Sequence, residues 1–172
     1  MSEQDTGVGA NAMAGETLAN GADNTPSAGL ITQYIKDFSF ENPSAPAIYQ
    51  NQTPPQIDVQ FNIGTAQIGD DVHEVVLKIE AKAQVGDSVG FIVDLSYAGL
   101  FGLRNIPVEH VQPFLLGEAP RLLFPFARRV LADAVRDGGF PPLMLDPIDF
   151  GGLYMQQLEA QQQTLGEEAG TA

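Results

Sequence analysis

Side chains able to do covalent or metal chemistry are sparse in this chain, and each has a structural reading beside the chemical one. Gly86-Asp87-Ser88-Val89-Gly90 fits G-x-S-x-G, the pattern in which a serine on a sharp strand-to-helix turn attacks a carbonyl while a histidine takes its proton. Apolar/polar alternation continues on both sides of it, from Val72 to Gln84 and from Ser88 to Tyr97, so a hairpin turn is expected there. A small serine esterase using Ser88 stands as the enzymatic alternative. Asp70, Asp71, His73 and Glu74 are ligand types for a metal. On a strand, however, His73 and Glu74 point to opposite faces, and a polar strand start is the simpler account. His110, the second of two histidines, has no evident partner. Arg128-Arg129 could hold an anion, but a doublet in so acidic a chain reads as a solvated helix face with local salt bridges. No catalytic residue, metal ligand or cofactor site follows, and a protein without enzymatic activity is expected.

Composition narrows the class further. The chain has 172 residues, enough for one domain with a hydrophobic core. It carries 22 acidic against 8 basic side chains, a formal charge of −14. Nucleic-acid binding needs Lys and Arg to displace counterions from phosphates, so this balance argues against it. The same charge disfavours anionic membrane surfaces, and no apolar run approaches the roughly 18 residues of a membrane helix. The chain has no cysteine, which excludes disulfides, thiolate metal sites and cysteine nucleophiles. Neither a basic n-region nor an apolar h-region is legible near Met1, and a soluble cytoplasmic protein is expected.

The elements that would position any site are strands first and helices afterwards. Residues 1–30 are rich in Gly, Ala, Asn and Ser, with four acids and neither basic nor aromatic residues, and read as a disordered acidic arm. Residues 31–40 read as a strand ending at Asn42-Pro43. From Gln56 to Ile63 the alternation is clean, Ile57, Val59, Phe61 and Ile63 on one face, with residues 64–69 read as a loop. Val72–Gln84 and Ser88–Tyr97 are two more strands joined at Val85-Gly86-Asp87. After Gly99 the period changes. A short helix is expected from Pro107 towards Leu116 with Gly117 as its stop, and a longer one from Pro120 ended by Gly138-Gly139, with Pro125 in its early part. Asp149 can cap a third helix bearing Leu153, Tyr154 and Leu158, before a flexible acidic tail over residues 164–172. The fold class is α+β, a four-stranded antiparallel sheet with helices on one face.

Two features exceed what core formation needs. Asp37, Ser39 and Glu41 share parity on the first strand, as do Ile92, Asp94 and Ser96 on the fourth, giving an acidic, uncovered sheet face interrupted by one isoleucine. The opposite parity of the fourth strand, with Val93, Leu95 and Tyr97, adds more apolar surface than a small helical cover is expected to bury. That excess suggests a homo-oligomer or a binding groove.

Several ordered runs carry a family resemblance. Tyr34-Ile35-Lys36-Asp37-Phe38-Ser39-Phe40-Glu41-Asn42-Pro43, Asp71-Val72-His73-Glu74-Val75-Val76-Leu77 and Leu123-Phe124-Pro125-Phe126-Ala127-Arg128 resemble the protein-export chaperone SecB. Phe140-Pro141-Pro142-Leu143-Met144-Leu145, Pro147-Ile148-Asp149-Phe150 and Leu153-Tyr154 continue the likeness in the same order, over residues 31–163 as the chaperone domain. The resemblance implies a dimer of dimers that binds unfolded precursor proteins in the cytoplasm without nucleotide, and delivers them to the SecA ATPase. By motif it implies SecA docking through Asp37, Glu41, Ile92 and Asp94. It implies a client-peptide groove near Ile57, Val59, Phe61, Ile68, Leu122 and Phe126, and a role in tetramer assembly for Val93, Leu95 and Tyr97. A homo-oligomer without clients is the remaining alternative.

Overall fold

The computed structural model describes residues 24–169, with side chains described to residue 166. Four strands come first: β1 (Ser27–Glu41), β2 (Gln56–Gly69), β3 (Val72–Val85) and β4 (Ser88–Arg104). Helix α1 (Val108–Pro113) runs through a π-helical turn (Phe114–Glu118) into α2 (Ala119–Asp137), and α3 (Phe150–Ala169) ends the described chain. All pairings are antiparallel and the sheet order is β1-β4-β3-β2. Strands β2, β3 and β4 form a meander through tight turns. Gly86 supplies the positive φ of 61° that the β3–β4 turn requires, and Ser88 opens β4 immediately after it, as a hairpin residue.

Strand β1 is the exception. It pairs with β4, not with its sequence neighbour, so residues 42–55 must cross the sheet. That crossing is tied to the end of α2. Ile48 is buried, and the Tyr49 hydroxyl donates to the Gly138 carbonyl at 2.8 Å. The Asn42 amide donates to the Tyr49 hydroxyl at 2.7 Å. A Cβ on Gly138 would lie 2.3 Å from the Phe40 ring, so glycine is what lets β1 and α2 close up here.

One face of the sheet carries the core. Val75, Leu77, Ile79, Ala81 and Ala83 of β3 alternate inward, as do Phe91, Val93, Leu95, Tyr97, Phe101 and Leu103 of β4. They meet Leu115, Leu123, Phe124, Ala127, Leu131 and Val135 from the helical layer, together with Phe150. Among the described residues no helix covers the other face. The α+β class and the one-sided helical layer therefore stand as the alternation implied.

Local boundaries moved in several places. Residues 27–30, expected in the arm, pair with Arg104–Phe101; residues 1–23 of that arm lie outside the described residues. Residues 64–69, expected as a loop, extend β2, because β3 offers a full ladder partner from Val76 back to Val72. Gly99–Leu103 likewise extend β4 between β1 and β3. Gly117 does not stop a helix: the chain turns through the π-turn and continues, leaving Pro125 inside α2 instead of in its first turn. Residues 164–169 of the expected tail belong to α3. Asp149 does cap that helix, its Oδ1 accepting from the Gly152 amide at 3.0 Å.

Candidate functional site

Cross-strand register lays the outer face out in rows. Glu41, Ile92, Lys82 and Asp58 form one row from β1 to β2; Ser39, Asp94, Glu80 and Gln60 form the next; Asp37, Ser96, Lys78 and Asn62 the third. Asp37, Glu41, Ile92 and Asp94 therefore lie on one face within three adjacent rows. Asp37 and Glu41 are exposed, and Ile92 and Asp94 are half-buried. Lys78 sits among the acids, 2.8 Å from Glu80 and 3.7 Å from Asp94. Its ammonium is held above the usual lysine range, first by the Glu80 hydrogen bond and then by the charges of Asp94 and Glu80. Exposed pairs of this kind contribute little to stability and leave the acids free to exchange partners. A shallow pit of about 310 Å³ opens here, lined by Asp58, Gln60, Glu80, Lys82, Ile92 and Asp94 among others. The arrangement suits a partner that brings cationic groups around one apolar contact.

The inner side of β2 makes a different surface. Ile57, Val59, Phe61 and Ile63 point towards the helices from an edge strand paired only with β3. Ile57 and Phe61 remain 41% and 37% exposed, because α2 packs mainly over β4 and β3. Phe61 faces Phe124 at 6.4 Å and Phe150 at 6.5 Å between ring centroids, and Phe124 and Phe150 meet edge-on at 5.8 Å. Beside these rings a cavity of about 140 Å³ is lined by Phe61, Ile63, Leu116, Phe150, Leu153 and Tyr154. An apolar trough thus runs along an edge whose backbone groups have, among the described residues, no partner strand on that side.

The trough gathers only part of the set named from sequence. Ile57, Val59 and Phe61 belong to it. Ile68, 55% exposed, stands at the β2–β3 turn, seven residues beyond Phe61 and on the order of 20 Å away at strand spacing. Phe126 follows Phe124 by two positions on α2, roughly 200° around the helix, and is 42% exposed away from the trough. Leu122 packs against the core margin. The residues that sequence reasoning missed are Leu116, Phe124, Phe150 and Tyr154. The Asp149 cap was the available signal for Phe150, since it fixes the first turn of α3 over β2.

Val93, Leu95 and Tyr97 alternate with Ile92, Asp94 and Ser96 and point inward, 0%, 0% and 8% exposed. They touch the helical layer, so any influence they have on assembly passes through α2. His73 and Glu74 lie on opposite faces, His73 towards the helices and Glu74 outward. Arg128 donates to the Leu145 carbonyl at 3.2 Å and lies over the Phe124 ring, so it holds the 140–148 segment against α2. Arg136 pairs with Asp133 at 3.3 Å. Among the described residues no helix is long and apolar enough to cross a membrane.

Comparison with known proteins supplies the context. Residues 21–161 match the family described as "Preprotein translocase subunit SecB". The protein-export protein SecB of Rhizorhabdus wittichii is 67% identical over 148 residues, covering 86% of this chain and 89% of the relative. That of Zymomonas mobilis is 60% identical over 139 residues, covering 81% and 85%. Among solved structures, a SecB-like chaperone of Mycobacterium tuberculosis in complex with a peptide from an antitoxin superposes with a TM-score of 0.59. At 16% identity, over 70% of this chain and 90% of that one, it shares the fold.

Proposed function

The chain belongs to the SecB family of protein-export chaperones, and on that premise we propose how its two surfaces divide the work. Non-native precursor chains lie in the trough beside β2, and SecA docks on the outer sheet face through Asp37, Glu41, Ile92 and Asp94. The observation that carries the reading is the aromatic trough along an unpaired strand edge. An extended client can add its backbone to β2 while its apolar side chains enter the space between Phe61, Phe150 and Leu153. Binding of this kind is sequence-tolerant, because edge hydrogen bonds use only backbone and apolar burial is non-directional. It needs no nucleotide, cofactor or catalytic residue.

What the helical layer leaves uncovered supports assembly as a dimer of dimers. Leu30, Ile35 and Phe38 point to the helix side of edge strand β1 yet are 38%, 49% and 40% exposed. A second copy would cover them, and several copies would place several troughs on one particle, so that weak holding at each becomes tight holding together. The cytoplasm is the compartment for this activity.

The test is a holding assay with a reduced, unfolded precursor and no nucleotide. The full chain should keep the precursor soluble and be found as a homotetramer by native mass. Ester hydrolysis lost on Ser88→Ala would favour an esterase instead, and a tetramer with no affinity for unfolded chains would leave a purely structural oligomer.

A further inference from the structure

Three residues of the outer face belong to neither surface. The Tyr34 hydroxyl donates to Glu74 Oε2, and Lys36 Nζ lies 2.6 Å from Glu74 Oε1. Both donors stand on β1 and the acceptor on β3, so the pair of contacts reaches across β4 between them. Ala98, the β4 residue in register with Tyr34, is fully buried although it lies on the face without helices.

The place where this strap lands on β1 is the informative point. Ile35 pairs with Tyr97 and Asp37 with Ser96, so Lys36 is an extra residue in a β-bulge. That bulge is why Tyr34 and Asp37, three positions apart, share a face. Without it, continuing the register from Tyr34 would set Lys36 opposite Ser96, Phe38 opposite Asp94 and Phe40 opposite Ile92, and Asp37 and Glu41 would turn to the helix side. Burial alone specifies β1 weakly, since it is an edge strand and its inward Ile35 and Phe38 are still half in solvent. Below the bulge Phe40 stacks on Phe91 at 6.1 Å between centroids. Above it and within it, Tyr34 and Lys36 are the residues tied to Glu74.

We propose that the Tyr34–Glu74–Lys36 strap locks the β1 bulge and thereby holds Asp37 and Glu41 in the docking register. The three are positioning residues for SecA, and this inference rests on the docking reading above. The strap is tested by SecA affinity of full-length variants, with client holding as the control for folding. Tyr34→Phe leaves the charge unchanged, Lys36→Met makes the face more negative, and Glu74→Gln makes it less so. Loss of the lock predicts that all three weaken SecA binding, roughly fivefold or more, while client holding persists and amide exchange over residues 35–41 speeds up. A plain field effect predicts tighter binding for Lys36→Met and no change for Tyr34→Phe, and that result would overturn the inference. Coupling should appear in double mutants of Glu74→Gln with Asp37→Asn and be absent with Asp94→Asn, because the strap acts through β1. Asp94→Lys separates the two readings. If it leaves SecA affinity unchanged, the docking face itself is wrong; if it abolishes binding while Lys36→Met does not weaken it, only the strap is wrong.

Discussion

Along β2, Ile57, Val59 and Phe61 share the inward face, and Phe61 meets two aromatic rings at different angles beside a cavity of about 140 Å³. Across β1, β4 and β3, by contrast, Asp37, Ser39, Glu41, Ile92, Asp94 and Glu80 stand at fixed rows of a hydrogen-bonded ladder. The first surface can offer burial, which is proportional to area and indifferent to order. The second can offer charge placed at set spacings, where a one-residue slip would exchange acids for lysine and phenylalanine. On the proposed reading, one sheet would serve many clients and one docking partner because its two faces offer these two kinds of contact.

The largest break in that contrast should come from Asp94→Lys. It reverses a half-buried charge beside Glu80 and Ser39, on the sheet face opposite the described helices, with its side chain directed away from the core. SecA binding should be lost beyond detection by calorimetry while an unfolded precursor is held as before. Phe61→Ala should do the converse at smaller amplitude. It removes a ring already 37% exposed, so folding stability should fall modestly while client affinity drops by about tenfold, or ~1.4 kcal/mol. Unchanged SecA affinity in that variant would sharpen the division; a parallel loss of both would erase it.

A third change tests how far apart the faces really are. Leu95 neighbours Asp94 in sequence but is wholly buried against the helices. Leu95→Phe overfills that space at a cost of about 1–3 kcal/mol, which the structure relieves by shifting α2. Native mass should then show dimers in place of tetramers, while each protomer still binds SecA through Asp94. Intact tetramers would mean that the α2 layer is not part of the assembly.

How much of this was legible beforehand follows from which residues carry period-two signals. Val72–Val85 and β4 from Phe91 to Tyr97 alternate without interruption, so Ile92, Asp94 and the inward Val93, Leu95 and Tyr97 could be read directly, whereas Val89 pairs with Gln84 on the other face because the ladder shifts at Gly90. Parity groups Asp37 with Glu41 but cannot place Tyr34 with them, because nothing local marks Lys36 as the extra residue of a bulge; its cause lies at Glu74, 38 residues away. The same holds for β2 beyond Ile63. Gly64-Thr65-Ala66-Gln67 has the composition of a loop and becomes strand because β3 is there to pair with it. In the trough, β2 supplied its residues by alternation, whereas Phe124 and Phe150 meet Phe61 only through the packing of α2 and α3. Leu122 and Phe126, chosen by motif, lie on the same helix as Phe124, with Leu122 at the core margin and Phe126 exposed.

The smallest expected effect concerns the strap's response to pH, and its sign differs at the two ends of the scale. Lys36 and Tyr34 together hold the Glu74 carboxyl below its ordinary value of 4.5, the Lys36 hydrogen bond contributing most. A carboxylate depressed in the folded state adds stability above its unfolded value and loses it as pH falls through the lowered one. At the other end, donation to Glu74 pushes the Tyr34 phenol up to about 12 from 10.0. That contribution is complete below pH 10 and lost as pH rises through about 12. Many other groups titrate in both ranges, so absolute stability will not isolate the strap, but differences between variants will. At fixed protomer concentration, urea unfolding should find Tyr34→Phe less stable than the parent by on the order of 1 kcal/mol near neutrality. The gap should hold to about pH 10 and close towards 12, as the parent's own phenol ionises against Glu74. Glu74→Gln should show its gap closing instead on the acid side. A gap that stays constant from neutrality to pH 12 would mean the Tyr34 hydroxyl contributes by packing alone, and that β1 keeps its bulge for another reason.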